Sequence, residues 1–260
     1  MHRNNIANMK HIFRLLGLFF CFCSQLFSNV KIIDFNSETT EILKIAKSHL
    51  PSDPIVFEAG AYNGSDTMKI ASFFPEGKIY TFEPIAENFT EVLRATKSYK
   101  NIYPSQLALS NENGKAVFYV SEYVSSPKFL CGSSSLLPPK EHLKYDHNII
   151  FSRAINVNTI TIDWFAQSLG IDHIDFIWFD LQGFELNTLK ASALAQEARV
   201  IYSEVEFIEA YEGQYLYEDL KKWLQENNFE IIAADFDENL ILKCLEKGRY
   251  YGNIIFVKKN

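Results

Sequence analysis

The sequence IVFEAGAYNGSDTMKIASFFPEGKIYTFE, residues 55–83, decides the fold of this chain. The apolar run Ile55–Phe57 is typical of a buried parallel strand, and Lys78–Phe82 predicts a second strand. Between them, Gly60 and Gly64 permit a sharp turn and let a ligand approach the bare backbone. The stretch therefore predicts a strand, a glycine turn, a helix and a second strand, the arrangement of a nucleoside-binding half-domain.

Polar residues mark the start of the helix and the end of the second strand. Ser65 and Asp66 are both predicted N-caps, because short oxygen-bearing side chains accept hydrogen bonds from the free N–H groups of a first helical turn. The remaining N–H groups would point toward a ligand above the turn. Glu83 stands at the tip of the second strand, where a carboxylate suits the two hydroxyls of a ribose.

The turn differs from a pyrophosphate-binding loop. It lacks the third glycine of the G-x-G-x-x-G pattern, and Glu58 and Asp66 lie beside it. Two carboxylates repel a pyrophosphate but suit a cationic, zwitterionic ligand. S-adenosylmethionine (SAM), which carries a sulfonium, an ammonium and a carboxylate on one adenosine, is such a ligand. We therefore predict SAM as the cofactor. The alternative is any doubly wound domain with a tight first turn, and an NAD-dependent oxidoreductase is disfavoured.

Composition and charge limit the class of protein. With 260 residues, of which 47% are hydrophobic, the chain can bury the core of one three-layer domain. Residues 1–33 contain four basic residues and no acidic one, so the rest of the chain carries 21 basic and 32 acidic residues. Such an acidic body argues against nucleic acid as a partner, because phosphate binding requires basic residues.

The N-terminus has the composition of a leader. Leu15–Phe27 contains no charged residue and follows Lys10 and Arg14. This apolar run is short for a membrane span and typical of a signal peptide. A short membrane anchor and a helix that packs on the domain are the alternatives.

These features divide the chain into a leader, residues 1–29, and one domain, residues 30–260. Any membrane association would run through residues 12–27. The leader predicts the secretory pathway or a membrane surface, whereas SAM requires access to the cytosol. The body contains no C-x-x-C pair, so no metal site is predicted.

The middle of the chain contributes two further expectations. Gln106–Leu109 follows a short third strand, which places Leu107 and Ala108 beside the adenine, with plain packing as the alternative. Residues 122–150 are the least regular part, and we expect either a lid or a flexible surface excursion. In a lid, His142 or His147 would contact the acceptor; otherwise these histidines are solvated.

A second decisive stretch is IDFIWFDLQGFELNTLKAS, residues 174–192. Its apolar start predicts a central strand that ends at Asp180, in the crevice where open α/β sheets bind ligands. Asp180 would hold the amino group of methionine, bind the acceptor or take its proton; the alternative is an acid that caps the next helix. Glu185 opens that helix, and Glu204 ends the following strand.

The order and spacing of seven segments resemble the FkbM-type SAM-dependent methyltransferases, over roughly residues 53–210. The resemblance implies a Rossmann-like class I fold, an α/β three-layer sandwich with a mostly parallel seven-stranded sheet whose last strand is antiparallel. It also implies methyl transfer from SAM, in this family often to hydroxyls of sugars or natural products. The segments are EAGAYNGSDT, YTFEP, ALSNENG, GSSSL, TIDWF, IDFIWFDLQGFELNTLK and YSEVEF.

The segments also carry the predicted site residues. The predicted catalytic residues are Asp180, Glu185 and Glu204. The predicted cofactor-binding residues are Glu58, Gly60, Tyr62, Asn63, Gly64, Asp66, Thr67, Glu83, Pro84, Leu107, Ala108, Asp180 and Gln182.

Two positions depart from the family pattern, which usually has Asp at position 58 and Glu at position 182. The missing negative charge at Gln182 would alter the contact with the cofactor, the choice of acceptor or any role of this position as a base. Glu185 and Glu204, which match the family pattern, would compensate for the missing charge. Together with the leader, Gln182 favours the alternative function, a non-catalytic exported or membrane-tethered domain that retains the fold.

Overall fold

The computed structural model of the protein describes residues 30–33 and 39–259. The predicted leader, residues 1–29, lies outside the described residues, and its role stays a prediction. Within the described ranges, no helix is both long enough and apolar enough to cross a membrane.

Strands and helices alternate along most of the chain. The strands are β1 Lys31–Ile32, β2 Ile55–Ala59, β3 Lys78–Phe82, β4 Ile102–Ser105, β5 Ala108–Leu109, β6 Gly114–Tyr123, β7 Ser126–Leu130, β8 Ile149–Ile160, β9 Phe176–Phe179, β10 Val200–Glu206, β11 Phe229–Ala234 and β12 Tyr251–Lys258. The helices are α1 Thr39–Lys47, α2 Ser65–Phe73, α3 Ala86–Thr96, α4 His142–Tyr145, α5 Ile162–Ser168, α6 Glu185–Lys190, α7 Ala193–Gln196, α8 Tyr217–Glu226 and α9 Ile241–Glu246, with a 3₁₀ turn at Glu238–Leu240.

The main sheet has the strand order β1-β11-β12-β10-β9-β2-β3-β4. The pairings of β12 with β10 and β11 are antiparallel, and the other pairings are parallel. This confirms the predicted α/β fold with a mostly parallel sheet and an antiparallel last strand. The short edge strand β1 adds an eighth strand to the predicted seven.

Alternating side chains give the main sheet two apolar faces. Phe57 and Phe179 pack on the face covered by α5, α6 and α8, whereas Val56 and Trp178 pack on the face covered by α1 and α2. Each large apolar side chain that is fully buried contributes about 1.5–3 kcal/mol. Two buried faces explain why the central strands are almost continuously apolar in sequence.

A second sheet, with the order β5-β8-β6-β7, includes part of the region expected to be irregular. Its centre is a long antiparallel ladder between β6 and β8, in which Phe118, Val120 and Val157 are buried. Residues 122–150 contain the end of β6, all of β7, α4 and the start of β8, so the expectation of irregular structure is wrong for these elements. Residues 131–141 and 146–148, by contrast, lie outside these helices and strands, as expected.

Helix α2 starts differently from the prediction. Its N-cap is Gly64 in a left-handed conformation, with φ +80°, and no side chain caps the helix. The prediction that Ser65 or Asp66 is the N-cap is thus wrong, because both residues already lie in the first turn. The Asp66 carboxylate instead accepts hydrogen bonds from Thr39 Oγ1 at 3.0 Å and Lys69 Nζ at 2.9 Å.

Candidate functional site

A cleft with an empty volume of about 860 Å³ opens at the carboxyl ends of β2, β3 and β9. We call it the main cleft. Of the predicted site residues, those that line it are Gly60, Tyr62, Asp66, Glu83, Pro84, Leu107, Ala108 and Asp180.

The glycine turn lets the backbone of β2 approach that of β9. Gly60 has φ +90°, and a Cβ atom placed there would lie 2.0 Å from the Asp180 carbonyl oxygen. Gly60 is therefore required both by conformation and by space. Tyr62, also in the turn, has φ +51°, an uncommon conformation for a non-glycine residue and one that concentrates at functional sites.

Glu83 forms a fixed carboxylate in the wall of the main cleft. Its Oε2 accepts a hydrogen bond from Tyr62 N and its Oε1 accepts one from Ile85 N, both at 2.9 Å. Burial raises the pKa of Glu83 to about 7, and these backbone hydrogen bonds oppose the rise. Because a carboxylate offers about four acceptor positions, this pinned group can still accept hydrogen bonds from a ligand.

Glu58 and Thr67 lie beneath the turn rather than in the cleft wall. The Glu58 side chain is 1% exposed, and neither of its oxygens has a hydrogen-bond partner among the described residues. Burial raises the pKa of Glu58 to about 7, while the nearby hydroxyls of Thr81 and Thr67 lower it only in part. Asn63 is exposed, and its Oδ1 accepts a hydrogen bond from Ser65 N at 3.0 Å.

Gln182 joins two of the predicted catalytic carboxylates. Its Nε2 donates to Asp180 Oδ1 at 2.7 Å and to Glu204 Oε1 at 2.9 Å. Its Oε1 lies 2.9 Å from the Tyr211 hydroxyl, which donates to it. We call these four side chains the Gln182 network. The amide thus supplies hydrogen-bond donors where another carboxylate would add only acceptors.

The carboxylates of this region have different pKa values. Burial raises the pKa of Asp180 to about 6, and the hydrogen bond from Gln182 limits the rise. Burial raises the pKa of Glu204 well above its usual value, and the negative charges of Asp180 and Glu206 raise it further. Asp180 is therefore the member of the Gln182 network that is ionised near neutral pH, and it also lines the main cleft.

Glu185 lies behind the site and supports the loop before α6. Its Oε1 accepts a hydrogen bond from Leu181 N at 2.6 Å, and the side chain is 4% exposed. Burial raises its pKa to about 7. The alternative interpretation of Asp180 as a helix cap is wrong, because the N-cap of α6 is Phe184 and no side chain caps it.

Residues from the second sheet region complete the site, and sequence reasoning did not identify their roles. Ser135 Oγ donates to the Gln182 carbonyl oxygen at 2.7 Å, and the Tyr211 hydroxyl also lies 2.9 Å from the Ser133 carbonyl oxygen. Phe118 and Cys131 line the main cleft. The GSSSL segment indicates that Ser133 and Ser135 contribute to the site. No pattern in the sequence indicates the contribution of Tyr211.

The two histidines of residues 122–150 have different environments. His142 is fully buried, and its ring packs against Phe151, Tyr211 and Tyr250 at centroid distances of 5.4–5.7 Å. The expectation that it is solvated is therefore wrong, because three aromatic rings enclose it. Burial lowers the pKa of His142, which favours the neutral ring. His147 is exposed.

Within residues 30–33 and 39–259, no group of three or more His, Cys, Asp or Glu side chains is arranged to hold a metal ion.

Comparisons with known proteins give one family and several relatives. The family model described as "Methyltransferase FkbM domain" matches residues 58–231. The 2-O-methyltransferase NoeI of Sinorhizobium fredii (strain NBRC 101917 / NGR234) is 29% identical over 169 residues, which cover 62% of this chain and 67% of NoeI.

Two solved structures are also similar to this chain. A putative rRNA-methylase from Clostridium thermocellum has a TM-score of 0.47 and 12% identity, with coverage of 89% of this chain and 99% of that one. A fibrillarin/Nop5p complex has a TM-score of 0.44 and 18% identity, with coverage of 84% of this chain and 79% of the matched chain.

Proposed function

Because the chain belongs to the FkbM methyltransferase family, we propose that it transfers the methyl group of SAM to a hydroxyl of a sugar, glycan or other small metabolite. The relative NoeI is named a 2-O-methyltransferase, which supports oxygen as the accepting atom. The observation that carries the proposal is Asp180, an ionised carboxylate in the main cleft that the Gln182 amide holds in place.

The main cleft has the chemistry that SAM requires. Asp66, Glu83 and Asp180 line it, and no basic side chain of the described residues does. This acidic lining suits a ligand with a sulfonium and an ammonium group. Glu83 would hold the ribose hydroxyls, and the apolar wall at Leu107 would contact the adenine. When bound, SAM supplies a methyl group on a positively charged sulfur, which becomes a neutral thioether after transfer.

Asp180 has the position and ionisation of a general base. Methylation of a hydroxyl forms a carbon–oxygen bond and releases the hydroxyl proton. Gln182 donates to Oδ1 of Asp180, so Oδ2 is the oxygen that would accept this proton. The apolar side chains of Phe118 and Leu136 help to exclude water from the cleft, and in-line positioning supplies much of the remaining acceleration.

Cofactor binding is tested by calorimetric titration of the full chain with SAM, S-adenosylhomocysteine and NAD. We expect saturable binding of the first two ligands and none of NAD. Glu83→Gln should weaken SAM binding about 10- to 100-fold, since a hydrogen bond to a charged group contributes about 1.5–3 kcal/mol. The matched control is Glu76→Gln at an exposed position outside the cleft. Absence of SAM binding by the wild-type chain would refute the proposal.

Methyl transfer is tested with radiolabelled SAM and a panel of sugars, glycans and other hydroxyl-bearing metabolites. Asp180→Asn retains the shape of the side chain but removes the base. We expect SAM affinity to weaken, because one of the three cleft carboxylates loses its charge, and turnover at saturating SAM to fall by about 10²–10⁴-fold, the usual contribution of a general base. Turnover equal to that of the wild type in Asp180→Asn would show that another group accepts the proton.

A further inference from the structure

We propose that a second cavity at the same edge of the main sheet binds the acceptor, and that it selects a neutral, hydroxyl-rich ring of the carbohydrate type. The inference rests on the proposed function for the reaction and adds the place and the chemistry of acceptor binding. The cavity has an empty volume of about 640 Å³, and we call it the side cavity. The residues that define it are Asp66, Trp178, Tyr202, Asp235, Arg249 and Tyr251.

The side cavity adjoins the proposed reaction centre. Asp66 lines both the side cavity and the main cleft, so the two spaces share a wall. Tyr202 precedes Glu204 by two residues within β10, and side chains two apart in a strand project from the same face. Trp178 lies near the end of β9, and Asp180 directly follows that strand. An acceptor in the side cavity therefore lies on the face from which the Glu204 carboxylate of the Gln182 network projects.

Aromatic rings give the side cavity surfaces that suit a sugar ring. Trp178 and Tyr202 are both buried and are stacked on each other, with ring centroids 3.9 Å apart and an interplanar angle of 25°, so they form the aromatic floor of the cavity. Tyr251, at 38% exposure, presents a third ring. The carbon–hydrogen faces of a pyranose are apolar, so they pack against aromatic faces while the hydroxyls point outward to polar groups.

The polar groups of the side cavity are held rigidly. Arg249 Nη2 pairs with Asp235 Oδ2 at 2.6 Å, and Nη1 donates to the Asp235 carbonyl oxygen at 3.0 Å. Asn253 Nδ2 donates to Asp235 Oδ2 at 2.9 Å, while its Oδ1 accepts from the Tyr202 hydroxyl at 2.8 Å. Preorganised planar groups of this kind fix the orientation of a ligand that offers several hydroxyls.

The charges of the side cavity favour a neutral ligand. Arg249 is the basic residue among those that line it, and its charge is paired with Asp235. Asp66 adds a further negative charge. With the described residues, Arg249 uses three of its five N–H groups, including Nε, which donates to the Tyr251 carbonyl oxygen. Two N–H groups of Arg249 are therefore left to donate to hydroxyl oxygens of a ligand. Because the charge of Arg249 is paired with Asp235, the side cavity offers a phosphate no unpaired cation.

The experiment measures acceptor binding separately from catalysis. The full chain, saturated with S-adenosylhomocysteine, is titrated with methyl glycosides of neutral hexoses, and binding is followed by saturation-transfer NMR. The SAM affinity of each variant is measured in parallel by calorimetry. Tyr251→Ala and Arg249→Lys should each weaken glycoside binding about tenfold, with SAM affinity unchanged, because they remove a stacking face and a planar donor.

Tyr103→Ala is the matched control. Tyr103 is 44% exposed and lies on the edge strand β4, away from the side cavity, with Tyr80 as its ring partner at 5.1 Å. Tyr251 similarly has Tyr250 as a ring partner at 5.3 Å. We expect Tyr103→Ala to bind glycosides with the wild-type affinity.

Three results would overturn the inference. The first is glycoside binding that neither Tyr251→Ala nor Arg249→Lys weakens. The second is the absence of glycoside binding by a chain that binds SAM, and the third is tighter binding of hexose phosphates than of the neutral glycosides. A chain that binds no SAM but binds glycosides in a Tyr251-dependent way would refute methyl transfer and leave the side cavity as a carbohydrate site.

Discussion

Replacement of Gln182 by methionine tests whether this amide sets the ionisation of the proposed base. Methionine has a similar length and no hydrogen-bond donor, so both donations from Nε2 are lost. Asp180 Oδ1 and Glu204 Oε1 would each lose a partner at 2.7 Å and 2.9 Å. The variant therefore changes the electrostatics of the site with little change in side-chain volume.

The size of the effect follows from the hydrogen bond to Asp180. A hydrogen bond to a charged group contributes about 1.5–3 kcal/mol, and one pKa unit corresponds to about 1.4 kcal/mol. Removal of the donor should therefore raise the pKa of Asp180 from about 6 to about 7–8. A raised pKa keeps the carboxyl group protonated at higher pH, so the base is lost at pH values where the wild type is active.

The assay is the pH dependence of kcat/KM for the methyl acceptor. In the wild type, activity should rise through about pH 6 as Asp180 ionises. In Gln182→Met this rise should move up by about 1–2 pH units, and the rate should recover at alkaline pH. Gln182→Glu should move it at least as far, because it adds a like charge beside Asp180.

Two controls separate this effect from general damage. Gln225→Met, at an exposed position of α8, should leave the profile unchanged. Tyr211→Phe retains both Nε2 donations and should shift the profile less than Gln182→Met. If Gln182→Met and the wild type lose activity at the same acid pH, the amide does not set the pKa of the base and the reasoning is refuted.

Three other predictions concern stability and cleft access. The pKa of Glu58 is about 7 in the folded chain against a usual 4.5, so the contribution of Glu58 to stability is present below pH 4.5 and lost as the pH rises through 7. Glu58→Gln should remove this pH-dependent contribution. In urea unfolding at pH 8, the variant should therefore be more stable than the wild type by about 1–3 kcal/mol. Because Glu83 and Glu185 titrate in the same range, the test is the comparison with the wild type: an equal change in unfolding free energy between pH 5 and pH 8 in Glu58→Gln and the wild type would contradict the prediction. Gly60→Ala should lower the free energy of unfolding by at least about 3 kcal/mol, because the added Cβ meets the Asp180 carbonyl oxygen. Gly170→Ala should lower it by only about 1–2 kcal/mol, because Gly170 has φ +67° but no atom near the added Cβ. Equal losses in the two variants would refute the steric argument. SAM should slow the alkylation of Cys131, which lines the cleft, but not that of Cys244. If Cys131 is alkylated at the same rate with and without SAM, the cofactor binds elsewhere.

Local patterns predicted the half-domain that carries the glycine turn. The apolar runs became β2 and β3, and Glu83 lies in the wall of the main cleft at the tip of β3. These predictions succeeded because strand burial, the need for glycine at positive φ and the end of a strand are all properties of a few adjacent residues.

The second sheet could not be predicted in the same way. Residues 114–123 pair with residues 149–160, and the intervening residues contain prolines, serines and a glycine that indicate a loop. Pairing of distant strands depends on partners that local composition does not identify. The burial of His142 among three aromatic rings has the same cause, because Tyr211 and Tyr250 come from much later in the chain.

The sequence by itself determined the fold class, the glycine turn and Asp180 as an acid directly after a central strand. Glu204 lies inside β10, which continues to Glu206, and not at the predicted end of that strand. Only the tertiary structure decided how those acids work together. Parallel pairing of β9 with β10 brings the end of β9 beside Glu204, and the positive φ of Gln182 accompanies an amide that reaches both carboxylates. Ionisation depends on burial and on neighbouring charges in space, so the wide separation between the raised pKa of Asp180 and the still higher pKa of Glu204 exists only in the folded chain.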